Sequence, residues 1–143
     1  MAEHATQSLI GHGTQLQRGG LLEADPFTNL HEVVGFESPD EVADEHEASH
    51  FESPGRYKEF IAGMIDAGEA TITIGWRPDL YPDQVSLKAD KADGLLRYYR
   101  IILPGAMETI TFRGFVKGLK RNIVPNGPMT ADITFRCSRV TVV

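Results

Sequence analysis

Regular alternation of apolar and polar residues in the second half of the chain constrains the fold more than any other feature. The clearest example is the stretch EATITIGW, Glu69 to Trp76. Its apolar residues occupy every second position: Ala70, Ile72, Ile74 and Trp76. Because successive side chains of a strand point to opposite faces, this pattern gives one apolar and one polar face. Strands of this kind favour an antiparallel sheet with one face in the core.

Other segments share this character and are also predicted to be strands: Arg97 to Leu103, Glu108 to Ile123 and Ala131 to Val143. The apolar residues on one face are Ile110, Phe112 and Val116 in the middle segment, and Ile133, Phe135 and Cys137 in the last. A looser alternation in Leu30 to Glu37 predicts a further strand, with Leu30, Val34 and Phe36 on one face. The chain therefore has about five predicted strands.

One helix is predicted between the second and third strands, from Tyr81 to Asp93. Pro82 suits the first turn of a helix, and Gly94 stands just past the end, where a left-handed residue is common. The apolar residues at helical spacing are Val85, Ala89, Ala92 and Leu96. We predict a mainly β fold of two packed antiparallel sheets, sandwich-like or barrel-like, with this one flanking α-helix and a long loop or arm.

The 143 residues fit a single domain, 1–143, with one core. No apolar run approaches the roughly 20 residues that cross a bilayer. The N-terminus has no basic segment followed by an apolar one, so we expect no signal peptide and no membrane anchor. The single cysteine, Cys137, excludes an internal disulfide, and assembly in a reducing cytoplasm is expected.

Two segments lack a regular pattern. Residues 1–20 are polar and Gly-rich and are predicted to form a flexible N-terminal arm. Residues 38–66 show no clear period and are predicted to form a long loop. A connection of this length is unusual in a compact domain and is often functional.

Charge is distributed unevenly along the chain. Residues 1–68 hold 3 basic and 13 acidic residues, a net charge of −10, whereas residues 69–143 hold 11 basic and 7 acidic residues, a net charge of +4. One interpretation is a solvated acidic segment. The other is an acidic surface that meets a basic surface on another copy, since such complementarity guides orientation and register.

The sequence HEASH, His46 to His50, matches the HExxH pattern of zinc hydrolases. On a helix, His46 and His50 would bind the metal and Glu47 would act as general base. A third ligand is needed, and His4, His12 and His31 are the available histidines. The neighbouring residues are acidic and polar, with no apolar stripe at helical spacing. A zinc-dependent hydrolase therefore remains an alternative, while the favoured interpretation is a polar interface loop with no metal or other cofactor.

A longer pattern carries a family resemblance. The stretch SPGRYKEFIAGMIDAGEATITIGW, Ser53 to Trp76, resembles the major tail tube protein of bacteriophages with long non-contractile tails. The later stretch ETITFRGFVKGLKRNI is similar to the same family. The resemblance covers about residues 30–143. Its matching residues are Tyr57, Lys58, Glu59, Phe60, Ile61, Gly63, Asp66, Gly68 and Glu69.

The resemblance implies a structural virion protein without catalytic residues. Its subunits would form hexameric rings that stack into a hollow tube around a tape-measure protein, and double-stranded DNA would later pass through. Further implied partners are the tail terminator and the distal tail proteins. The implied location is the tail of a virion or phage-like particle. A tail terminator or another ring protein of the same fold is an alternative.

The resemblance also gives the segment 38–66 a role as a contact between rings. In an extended chain, residues four apart lie about 13 Å from one another, too far for His46 and His50 to share one zinc ion. The candidate contact residues are Asp44, Glu45, Glu47, Glu52, Arg56, Tyr57, Lys58, Glu59 and Phe60.

A DNA conduit should lack strong attraction for phosphates, so acidic residues are expected on its inner surface. The candidates facing the lumen are Glu69, Glu108 and Asp132. Because the strand-rich half is net positive, two alternatives follow. Either these acids dominate the inner surface, or the basic residues face outward or pair across subunits. The basic residues concerned are Arg97, Arg100, Arg113, Lys117, Arg136 and Arg139.

Overall fold

The computed structural model describes residues 13–52 and 54–143, and these residues form a mainly β fold with one α-helix. This confirms the predicted fold class. The strands are β1 (Gln15–Arg18), β2 (Thr28–Asn29), β3 (Val33–Glu37), β4 (Val42–Glu47), β5 (Phe60–Asp66), β6 (Glu69–Gly75), β7 (Arg97–Ile102), β8 (Thr109–Asn122) and β9 (Thr130–Val142), and the helix is α1 (Pro82–Asp93). Short 3-10 turns lie at Pro54–Arg56 and Pro104–Ala106.

The strands are divided between two antiparallel sheets of very different size. Seven of them form one sheet in the order β2-β1-β7-β8-β9-β6-β3, and β4 and β5 form a separate hairpin. The long strands β8 and β9 pair along most of their length at the centre of the large sheet. The predicted second sheet is therefore the hairpin, and the core is built on the seven-stranded sheet.

The core lies on one face of the large sheet and follows the predicted alternation. The residues of β6 predicted to face inward are buried, as are Ile133, Phe135 and Cys137 of β9. Three aromatic rings from neighbouring strands form its centre, with ring centroids of Tyr99 and Phe135 4.5 Å apart and Phe112 5.5 Å from each. Burying this apolar surface is the main source of stability for the fold.

The helix begins at Pro82, one residue later than predicted, and ends at Asp93 as predicted. Gly94 ends it in the left-handed conformation, with a φ of 64°. Its buried residues are Gln84, Leu87 and Asp90, whereas Val85 is 48% exposed and Ala89 and Ala92 are exposed. The apolar residues at helical spacing therefore lie mostly at the surface, and Leu96, beyond the helix, is half-buried. In the described part of the chain, no helix has the length and apolar character needed to cross a bilayer.

Hydrogen bonds and ion pairs explain why polar residues occupy the buried face. The side chain of Gln84 accepts a hydrogen bond from the Arg77 amide at 2.6 Å and donates one to the Gly75 carbonyl at 2.7 Å. Asp90 receives two hydrogen bonds of 2.6 Å from Arg18 and lies 2.8 Å from Nε of Arg97. Buried polar groups that are fully partnered are tolerated, and removing one partner is costly.

The ion pair around Asp90 also affects neighbouring groups. Hydrogen bonding to Asp90 raises the pKa of the Arg18 guanidinium. The hydroxyl of Tyr99 donates to Asp90 at 3.1 Å. Burial, followed by the charge of Asp90, raises the pKa of Tyr99 well above its ordinary value. Helix α1 is therefore tied to β1 and β7 through one carboxylate.

The predicted N-terminal arm of residues 1–20 does not extend to residue 20. Gln15–Arg18 form β1, which pairs with β7 and β2, and Leu16 is 2% exposed. The local sequence has only a weak preference for a strand. Pairing with β7 supplies backbone hydrogen-bond partners, and these stabilise the strand. Residues 1–12 lie outside the described residues.

The looser strand predicted at Leu30 to Glu37 is shorter than expected. It begins at Val33, and its register with β6 shifts between Val33 and Gly35. This β-bulge leaves Val34 unpaired and 70% exposed, while Val33 and Phe36 pack against the core. The predicted face that included Val34 is therefore wrong.

Candidate assembly surfaces

The predicted long loop of residues 38–66 contains a β-hairpin, formed by β4 and β5. Every residue of β4 is exposed, as is every residue of β5 except Gly63. A two-stranded hairpin is marginally stable when nothing covers it. The exposed large apolar side chains on its strands are Val42, Phe60, Ile61, Met64 and Ile65. Apolar groups concentrated at the surface in this way are typical of an interaction site.

The hairpin is also acidic. Asp44, Glu45 and Glu47 lie on β4 and form no ion pair within the described residues. Of the other predicted contact residues, Phe60 begins β5, and the rest lie in the connection between the strands: Glu52, Arg56, Tyr57, Lys58 and Glu59. The structure thus brings the predicted residues together on one projecting element.

Internal contacts order the connection between the two strands. The Ala48 amide donates to the Glu59 carbonyl at 2.7 Å, and the Glu59 amide donates to the Ser49 hydroxyl at 2.8 Å. Nε2 of His50 lies 3.3 Å from the Glu59 carboxylate. The two ends of the connection are therefore fastened to each other.

The HExxH residues do not lie on a helix. His46 is in β4, opposite Ile61, and His50 follows the strand. His31, one of the possible third ligands, bonds to Asp83 through Nδ1 at 2.9 Å, and His4 and His12 lie outside the described residues. In residues 13–52 and 54–143, no group of three or more metal-binding side chains is placed to hold an ion. The geometry that a zinc hydrolase requires of HEASH is not formed.

The hairpin joins the large sheet through a tight connection at Gly68. This residue has a φ of 74°, and a β-carbon there would lie 2.2 Å from the Asp40 carbonyl oxygen, so only glycine fits. The Gly68 carbonyl accepts a hydrogen bond from the Cys137 amide at 2.9 Å. Asp66 accepts hydrogen bonds from the Gly68 amide and from Arg136, and together they lower its pKa. Burial raises the pKa of the nearby Cys137 thiol to about 11.

The face of β6, β8 and β9 that points away from the core, which we name the outer face, is rich in threonine. Thr71 of β6 pairs with Thr134 of β9, and Thr73 pairs with Asp132. Two of the predicted lumen residues lie on this face, Glu69 and Asp132. Glu108 is half-buried before the start of β8, whereas Asp132 pairs with Lys120 near the other end of that strand. The structure therefore does not bring the three acids together.

Both acids on the outer face have partners within the chain. Glu69 bonds to Lys117, and this hydrogen bond lowers its pKa. Asp132 accepts hydrogen bonds from Asn122 at 3.0 Å and Thr73 at 2.8 Å, which lower its pKa in that order of importance. Glu69 is thus paired with a cation, whereas Asp132 is held by neutral donors and keeps its negative charge.

The six basic residues considered in the sequence fall into three groups. Arg97 points to the core side and binds Asp90. Lys117 and Arg136 each pair with an acid of the same chain. The remaining three lie on the side of the sheet opposite the core and form no ion pair within the described residues: Arg100, Arg113 and Arg139.

Two of these arginines contact aromatic rings. The guanidinium of Arg100 lies 3.9 Å from the ring centroid of Phe27, and that of Arg113 lies 5.9 Å from the ring of Tyr98. Arg113 and Arg139 are direct cross-strand partners, an arrangement in which like charges are destabilising. A compensating anion on this patch would relieve that repulsion.

A second basic surface lies between α1 and β8, and sequence reasoning missed it. Lys88 and Lys91 of the helix and Leu119 and Arg121 of the strand line a shallow groove. The guanidinium of Arg121 lies 5.3 Å from the ring centroid of Trp76. The signal in the sequence was the pair of lysines beside the apolar residues of the helix.

The profile of the lambda phage tail tube protein family matches residues 11–141. The chain belongs to this family. Membership makes it a structural component of the tail tube of a virion or gene-transfer particle and confirms the resemblance seen in the sequence. No curated protein sequence matches the chain significantly.

Solved structures of tail tubes and related injection machines have the same fold as this tail tube protein. A chain from the virion of a native gene transfer agent particle is 12% identical, with a TM-score of 0.73 over 95% of this chain and 99% of that one. A chain from the sheath/tube terminator of an extracellular contractile injection system is 13% identical, with a TM-score of 0.70 over 98% and 99%. The SPP1 tail tube chain is 8% identical, with a TM-score of 0.62 over 94% and 78%.

Proposed function

We propose that this tail tube protein assembles into hexameric rings that stack into a hollow tube through which double-stranded DNA passes. The tape-measure protein would occupy the lumen before DNA, and the tail terminator and distal tail proteins would bind the two ends. This is a structural role, without catalysis or a cofactor. Family membership and the fold shared with tail tubes support it.

The exposure of the hairpin is the main observation in support of the proposed stacking of rings. Its strands hold five large apolar side chains and three carboxylates that form no ion pair within residues 13–52 and 54–143, and none of these side chains belongs to the core that those residues form. An isolated hairpin gains little stability by itself, so burial against another subunit would stabilise it. Stacking of rings is a head-to-tail contact, which requires two different complementary surfaces on each copy.

We assign to the lumen the part of the outer face formed by β6, residues 117–122 of β8 and residues 130–136 of β9, which excludes Arg113 and Arg139. Its threonines are uncharged, Lys117 and Arg136 pair with acids, and Lys120 lies opposite Asp132, so it offers DNA little phosphate attraction. Free arginines in the lumen would retain DNA. We therefore place Arg100, Arg113 and Arg139 at the side-by-side contact within a ring, where a neighbouring subunit neutralises them.

Electron microscopy of the purified protein at high concentration tests this proposal. The wild-type protein is expected to form rings of six subunits and tubes made of these rings stacked on one another. A variant in which a Gly-Ser turn replaces residues 43–65 should form rings without tubes, because only the contact between rings is removed.

Three outcomes would contradict the proposal or a part of it. A wild-type protein that stays monomeric at all concentrations would exclude self-assembly as its role. Single rings that never stack would favour the alternative of a tail terminator or another ring protein of this fold. Tubes formed equally well by the shortened variant would remove the hairpin from the contact between rings.

A further inference from the structure

We infer that the exposed face of α1, together with the groove beside it on β8, receives the β4–β5 hairpin of a second copy in the adjacent ring. This inference rests on the proposed stacking of rings and names the receiving surface, which we call the α1 receptor. Its residues are Val85, Lys88, Ala89, Lys91, Ala92, Leu119 and Arg121.

The orientation of the helix is the first argument. Polar Gln84 and Asp90 face the sheet, while the apolar stripe faces outward. A surface helix normally turns its apolar stripe to the core. Here the buried polar residues fix the opposite orientation through specific bonds, so the exposed stripe is held in place for another partner.

Chemical complementarity is the second argument. The α1 receptor combines apolar side chains with Lys88, Lys91 and Arg121, none of which forms an ion pair within the described residues. The hairpin combines apolar side chains with Asp44, Glu45 and Glu47, which likewise have no ion-pair partner in the described part of the chain. Opposite charges around an apolar centre give an interface both orientation and register.

Shape is the third argument. The two alanines of the receptor are small, which permits close approach by a strand. The helix has 12 residues, or roughly 18 Å at the α-helical rise. Strand β5 has 7 residues, or roughly 23 Å at the rise of a strand. The two elements can therefore lie along each other over most of their length.

The other basic patch fits the hairpin less well. Arg100 and Arg113 already contact the rings of Phe27 and Tyr98, and the patch lies on the polar side of the large sheet. The hairpin is therefore assigned to α1.

Reciprocal charge reversal tests the pairing. One variant carries Lys88→Glu and Lys91→Glu, and the other carries Glu45→Lys and Glu47→Lys. Each alone places like charges at every contact between rings, so we expect tube formation, measured by light scattering and electron microscopy, to fall at least about tenfold. An equimolar mixture should recover most of it, because each hairpin then meets a receptor of opposite charge.

A matched control neutralises one lysine inside the proposed contact and one outside it. Lys88→Gln should reduce tube formation, whereas Lys120→Gln, next to Leu119 but on the outer side of β8, should leave it within about twofold, since it lies outside the contact. Thermal unfolding followed by circular dichroism shows whether each variant is folded. All substituted positions are exposed, so folding should be retained.

The outcomes separate this inference from the proposed function. If wild-type protein forms tubes, the hairpin variant does not and the Lys88/Lys91 variant does, the hairpin docks elsewhere and only the inference fails. If both variants fold and fail to assemble but their mixture also fails, a different occupant covers α1, which again overturns it. Absence of tubes from the wild type would instead defeat the proposed function.

Discussion

The large sheet and the hairpin are both antiparallel β-structure, yet they bury their residues in opposite ways. In β6, every second residue is buried, and Ile72 and Ile74 have no exposed surface. In β4, not one of the six residues is buried or half-buried. The large sheet is thus stabilised by its own chain, whereas the hairpin has surface that only another molecule can cover.

This difference separates residues that maintain the subunit from residues that join subunits. Substitutions in the core should change the free energy of unfolding of the isolated subunit. Substitutions in the hairpin should leave that free energy nearly unchanged and act on assembly.

The largest expected effect is in the aromatic centre of the core. Phe135→Ala removes a fully buried ring that contacts Tyr99 and Phe112, and we expect it to lower the free energy of unfolding by about 3–5 kcal/mol. Denaturant unfolding of the unassembled subunit measures this. The matched control is Phe51→Ala, at a fully exposed position of the hairpin connection, which should change it by less than about 0.5 kcal/mol. A similar loss of unfolding free energy in Phe135→Ala and Phe51→Ala would contradict the proposed difference between core residues and hairpin residues.

A smaller effect is expected where the helix is tied to the sheet. Asp90→Asn leaves Arg18 and Arg97 without their shared carboxylate and should cost about 3 kcal/mol. Asp93→Asn is the matched control, because its carboxylate is more exposed and lies 3.5 Å from Arg97, so its expected cost is below about 1 kcal/mol. Equal unfolding midpoints for Asp90→Asn and the wild type would show that the ion pair does not hold the helix.

The smallest expected effect on subunit stability is in the hairpin. The double substitution Ile61→Ser and Met64→Ser removes apolar side chains that face solvent, and we expect the free energy of unfolding to change by less than about 0.5 kcal/mol. Tube formation by the same variant should be lost, because those side chains are covered only in the assembly. A stability loss as large as that of Phe135→Ala would mean that the hairpin packs on the sheet within one subunit.

Alternation made the large sheet predictable, because a strand with one buried face repeats every two residues. The same rule placed Glu69 and Asp132 on the polar side of the sheet. The alternation did not predict which residues form bonds with these two acids. Lys117 sits where the register of β8 and β9 shifts, and local sequence does not show that irregularity.

The spacing of apolar residues did not predict the β4–β5 hairpin or the buried face of the helix. Strand β4 reads VADEHE and is exposed on both sides, so no alternation marks it. The buried face of the helix was not predicted for a different reason. Its buried Gln84 and Asp90 depend on groups such as Gly75 and Arg18, and Arg18 lies 72 positions from Asp90 in the chain. The spacing of apolar residues within one helix cannot reveal hydrogen-bond or ion-pair partners that lie so far away in the sequence.

The burial of Cys137 has a practical consequence. This thiol is the only one in the chain, it is 5% exposed, and a pKa of about 11 keeps it protonated and unreactive near neutral pH. A cysteine introduced on the exposed hairpin or on α1 would therefore be the sole reactive thiol of each subunit. The native sequence already permits a fluorescent label to be attached at one chosen point and followed while subunits join.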